Sequence, residues 1–76
     1  MNKSRRKALV ALRERIEEIK GDLAAYQEEE QEYLDSMPEG LQNGATRDKA
    51  TEAIDNLESA LSSLDDAAFS IEEAEA

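Results

Sequence analysis

Seventy-six residues, none of them cysteine or histidine, carry 19 acidic side chains against 9 basic ones, for a net charge of −10. A chain of this length is one domain, and a core this small rarely supplies more than about 3–5 kcal/mol without a staple or a partner. Disulfides, the usual zinc sites and Ser/His/Asp or Cys/His catalysis are excluded, and the acid excess disfavours binding to nucleic acid or an anionic membrane.

The first helix is expected over about residues 5–37, after a frayed start in which Ser4 is the candidate cap. Leu9, Leu12, Ile16, Ile19, Leu23, Tyr26, Tyr33 and Met37 recur at alternating steps of three and four, with Glu30 the one acid on the line. With Leu9 at heptad position a and Leu12 at d, this is the seam of a helix that lies along another helix. Gly21 falls at f, off the seam, as a local soft spot. The longest apolar run, Ala8 to Leu12, is too short for a membrane span, so a cytoplasmic location with no membrane contact is expected.

Pro38 stops the first helix, and Pro38, Gly40, Asn43 and Gly44 concentrate the turn formers over residues 38–46. Either Asn43 or Thr46 caps the second helix, expected over about 47–73, and Asp48 suits the first turn if Thr46 is the cap. From Ala53 the chain reads in sevens, AIDNLES, ALSSLDD, AAFSIEE, with Ile54, Leu57, Leu61, Leu64, Ala68 and Ile71 forming the second half of the seam. Two long helices joined by a short turn lie antiparallel, so the expected fold is an all-α, coiled-coil-like two-helix hairpin occupying residues 1–76.

Folding about Asn43-Gly44 pairs Ile16 with Ile71, Ile19 with Ala68, Leu23 with Leu64, Tyr26 with Leu61 and Tyr33 with Ile54. The flanking e positions then pair Arg13 with Glu72, Lys20 with Asp65 and Gln27 with Glu58, with no like charges opposed. A register shifted by one heptad also pairs the e positions tolerably, so the turn length is what separates the two.

One hairpin leaves apolar side chains over. Ala53, Ala60, Ala67 and Ala74 form a column at g, and Val10, Leu34 and Phe69 also lie outside a and d. A face wider than two positions in seven is what a helix in a larger bundle needs, so these residues predict self-association, most simply a homodimer forming a four-helix bundle. Carboxylates at helical spacing, such as Glu14/Glu17/Glu18 and Glu28/Glu32, read as solvated surface, because carboxylate di-metal bundles add histidine. No catalytic, cofactor-binding or metal-binding residue is expected, nor a small-molecule substrate. The cluster Lys3-Ser4-Arg5-Arg6-Lys7 lacks interleaved aromatics, and Leu41 is expected to fold back over Met37 or Tyr33.

The stretch Tyr33-Leu34-Asp35-Ser36-Met37-Pro38-Glu39-Gly40-Leu41-Gln42, followed by Lys49-Ala50-Thr51-Glu52-Ala53-Ile54-Asp55-Asn56-Leu57-Glu58, resembles a group of very short helical-hairpin proteins from phages, prophages and other mobile elements of Gram-positive bacteria. The resemblance spans roughly residues 8–73 and is most specific at the turn. It implies a mobile-element setting and carries over no activity and no site. The function expected is a non-enzymatic protein–protein interaction module with an unidentified protein partner. The alternative is an acidic nucleic-acid mimic that blocks a host nucleic-acid-binding protein. A mimic should array its carboxylates along one ridge, whereas Asp65, Asp66, Glu72, Glu73 and Glu75 cluster at one end.

Overall fold

The computed structural model describes residues 1–38, 40 and 44–76, which form two helices, α1 (Lys3–Asp35) and α2 (Ala45–Glu75), packed against each other as a hairpin. The described residues extend 59 × 15 × 11 Å, with a radius of gyration of 17.4 Å. A globular chain of this length would have a radius near 11 Å, so the molecule is a rod two helices wide.

Three of the four helix ends fall two residues outside the expected limits, and the end of α1 falls two residues inside them. α1 begins at Lys3 because the Asn2 side chain accepts a hydrogen bond from the Arg5 backbone N–H at 2.8 Å, so Asn2, not Ser4, is the cap. It ends at Asp35, two residues early, with the Ser36 N–H closing on the Glu32 carbonyl at 3.0 Å. Pro38 accounts for this, since the residue preceding a proline is pushed out of helical geometry. α2 is capped by Gly44 in an extended conformation without a side-chain bond, and Thr46 lies inside the helix rather than at its cap. Asp48 sits in the first turn, where it complements the helix dipole. The expected cap at Asn43 and the fold-back of Leu41 lie outside the described residues.

The packing is tightest at the turn end. Among the described residues, Leu34, Met37 and Ala50 are the buried apolar ones, with Ile54 packed against them. Farther along, Ile54, Leu57, Leu61, Leu64, Ala68 and Ile71 of α2 are half-buried, as are Leu9, Ile16 and Leu23 of α1.

The other half of the expected α1 seam is turned outward. Leu12, Ile19, Tyr26 and Tyr33 are 43%, 49%, 63% and 52% exposed. The residues that face α2 in their place are Arg13, Lys20, Gln27 and Leu34, each one position further along. The seam of α1 therefore runs along a and e rather than a and d. At 100° per residue, that difference is a rotation of about 50° about the helix axis. Both choices follow the same alternation of threes and fours. The a/e choice brings Arg13, Lys20 and Gln27 to partners on α2, and it drops Leu34 onto Ala50.

Two substitutions test this packing. Leu34→Ala empties the best-buried layer and should lower hairpin stability by about 2–3 kcal/mol in urea unfolding followed by circular dichroism. Gly21→Ala should raise it by about 0.5–1 kcal/mol, since the glycine is helical without positive φ and an added methyl group would meet nothing within 4 Å.

Candidate interaction face

The two long flanks of the rod differ in chemistry. On one flank, polar side chains stitch the helices together. Lys20 pairs with Asp65 across the seam and with Glu17 one turn back at 3.3 Å. The Gln27 amide donates to Glu58 at 2.9 Å and to the Ile54 carbonyl at 3.3 Å. Arg13 grips Glu75 with two hydrogen bonds, Nε to Oε2 at 2.7 Å and Nη2 to Oε1 at 2.8 Å. The Lys20 and Gln27 pairings are those the charge pattern suggests. Arg13 departs from it by choosing Glu75 over Glu72. Glu75 stands on the α2 seam line itself, so the fork of Arg13 meets it directly, while Glu72 acts on Arg13 only through its charge.

These contacts explain why α2 persists to Glu75 instead of fraying near Glu73. The Glu75 side chain is only 12% exposed, and a bidentate guanidinium–carboxylate pair fixes both partners in one geometry. The hydrogen bonds from Arg13 hold the Glu75 carboxyl below the ordinary glutamate range, outweighing its partial desolvation. The same bonds raise Arg13, and hydrogen bonds to Asp65 and then Glu17 raise Lys20. A shallow hollow lined by Ala24, Gln27, Glu28, Gln31 and Ile54 opens beside the Gln27 bridge. The hollow is open to solvent. Among the described residues, no group of three carboxylates is placed to hold a metal ion.

The opposite flank is apolar. Leu12, Ile19, Tyr26 and Tyr33 lie seven residues apart along it, with successive Cα atoms about 10 Å apart. Beside them, on α2, runs the column Ala53, Ala60, Ala67 and Ala74, the first two half-buried and the last two exposed. The columns share a flank because the Lys20–Asp65 and Gln27–Glu58 contacts occupy the other one, and both columns lie across the seam from those residues. The remaining residues expected to self-associate are placed differently. Leu34 is 8% exposed and committed to the hairpin core, so it is not available to a second molecule. Val10 is half-buried, and Phe69, 61% exposed, projects from b, away from the alanine column. The residues that a heptad reading assigns to the wrong place are thus the four large ones of α1. Spacing alone does not separate the two placements, because Arg13, Lys20, Gln27 and Leu34 at e recur at the same interval as Leu12, Ile19, Tyr26 and Tyr33 at d.

No helix among the described residues is long and apolar enough to cross a membrane.

The Arg13–Glu75 pair gives a pH signature. Because Glu75 is held below its ordinary pKa, the stability it contributes is present above the ordinary glutamate range and is lost as pH falls through the depressed value. Glu75→Gln should therefore be less stable than the parent in urea at neutral pH. The gap should close on acidification, and it should narrow in high salt at neutral pH. The chain matches no family model, and no curated protein and no solved structure is significantly similar to it.

Proposed function

We propose that this protein is a non-enzymatic helical interaction module whose hairpin is half of a self-associated unit. A homodimer forms a four-helix bundle, and the bundle in turn contacts a protein partner. The observation that carries this reading is the outward column of Leu12, Ile19, Tyr26 and Tyr33, four large side chains 43–63% exposed on one flank of a rod.

Area supports it. The chain exposes 5688 Å², whereas a compact globular monomer of 8.4 kDa exposes about 4,600 Å². The surplus of roughly 1,100 Å² is comparable to the approximately 800 Å² that each partner contributes to a standard stable interface. Among the described residues three apolar side chains are buried, less than a free-standing domain of this length needs.

The acids of α2 fall on b, e and f, apart from Glu75, and leave the apolar flank clear. This placement favours a solvating role for them over a ridge that imitates a nucleic-acid backbone. The mobile-element setting rests on the resemblance at the turn, and the cytoplasmic location on composition.

Light scattering coupled to size exclusion should give twice the 8.4 kDa chain mass at micromolar concentration. Ile19→Lys combined with Tyr26→Lys should return the chain to a monomer. A parent chain that stays monomeric up to millimolar concentration while keeping full helicity would overturn the reading.

A further inference from the structure

We infer that the second copy docks with its helices in the same sense as the first, about a twofold axis parallel to the rod, so that the large column of α1 packs into the alanine column of the other chain's α2. This rests on the self-association proposed above and specifies its geometry.

Height along the rod decides which residues can meet. Cross-helix contacts join Lys20 to Asp65, Gln27 to Glu58 and Arg13 to Glu75, so level residues have numbers that total between 85 and 88. In that register Leu12 is level with Ala74, Ile19 with Ala67, Tyr26 with Ala60 and Tyr33 with Ala53. A twofold axis parallel to the helices leaves every height unchanged and carries α2 of the second copy over α1 of the first. Each of the four large side chains then meets an alanine of the other chain at its own level. Alternating large and small residues across facing columns is how bundle layers interdigitate without voids.

Charge agrees. The column of α1 next to the large residues holds Arg15, Asp22 and Glu29. The facing outer column of the other chain's α2 holds Ser70, Ser63 and Asn56, so no like charges meet. The basic start of α1, including Lys3, Arg5, Arg6 and Lys7, also comes beside the acidic end of α2 from both chains. The rival twofold axis, perpendicular to the rod, stacks α1 on its own copy. It sets Ile19 against Tyr26, leaves alanine facing alanine, and opposes Asp22 to itself. One side of that bundle is overfilled and the other is hollow.

The chain contains no cysteine, so single-cysteine variants report the arrangement directly. Equal amounts of Tyr26→Cys and Ala60→Cys chains, mixed, re-equilibrated and oxidised, should form a disulfide-linked heterodimer in high yield. A mixture of Ile19→Cys and Tyr26→Cys chains should not, because those positions lie across the diagonal of the proposed bundle. The reverse result establishes the perpendicular axis and overturns this geometry while leaving self-association standing. Equal, weak yields from both mixtures from a dimeric protein reject both axes. A parent chain that light scattering finds monomeric removes the geometry together with the self-association on which it rests. A second variant pair avoids disulfide chemistry. Ala67→Glu should weaken dimerisation by at least about tenfold by burying a charge, whereas Phe69→Glu, on the far flank, should leave it unchanged. Equal effects of the two, with helicity intact, would overturn the assignment of the flank.

Discussion

A helix in a two-helix hairpin has one neighbour, and α1 offers that neighbour three columns. Positions a, d and e all carry side chains able to line a seam, but only two of them fit against α2 at once. The structure pairs a with e and leaves d outside. This choice takes the long polar side chains Arg13, Lys20 and Gln27 into the helix–helix boundary, where their stems cover apolar surface and their heads reach Glu75, Asp65 and Glu58. It also sends out the four residues that a strict heptad would bury. The remaining properties of the rod follow from that exchange.

Burial varies along the rod for the same reason. At the turn end the e position is Leu34, an apolar residue, and the layer closes with Met37, Ala50 and Ile54. Moving away from the turn, the e positions become Gln27, Lys20 and Arg13. Each must keep its head at the edge of the seam to reach a partner, so the layers there remain half-open and their leucines and isoleucines half-buried. What apolar burial does not supply at the far end, the Arg13–Glu75 fork supplies by geometry. Such a rod is most firmly closed near its turn and is clamped at its open end by the Arg13–Glu75 fork.

The hairpin, its antiparallel sense and the Lys20–Asp65 and Gln27–Glu58 pairings were legible in the sequence. Each depends on features local to a few residues: a proline and glycines between two heptad runs, and opposite charges at a fixed offset. The rotation of α1 was not legible in that way. The a/d and a/e columns have identical spacing, so periodicity cannot separate them, and hydrophobicity favours d. The discriminating residues were Leu34, the one apolar side chain at e, and Glu75, an acid standing on the α2 seam line within reach of Arg13. Both point to a seam shifted toward e, but only when the two helices are considered together. The cap at Asn2 was missed for a smaller reason. Ser4 and Asn2 are both competent caps, and the Asn2 carboxamide lies three residues before the Arg5 N–H that it satisfies.

The alanine column of α2 takes its meaning from this rotation. Alanines placed for helix propensity alone belong on the most solvent-exposed columns, yet f carries Glu52, Ser59, Asp66 and Glu73, and b carries Asp55, Ser62 and Phe69. The alanines instead occupy g, and the adjoining column c holds Asn56, Ser63 and Ser70. The result is a strip of small, uncharged side chains from residue 53 to 74 in a chain with 19 acids. Leaving such a strip bare gives up solubility that one further carboxylate would supply, and covering it turns the same smallness into close helix approach. The rotation of α1 places the large column beside that strip, on the same flank and at matching heights. A ridge and a trough side by side on one face cannot fill each other within a single rigid hairpin. In the dimer proposed above, each is filled by its counterpart on the other copy.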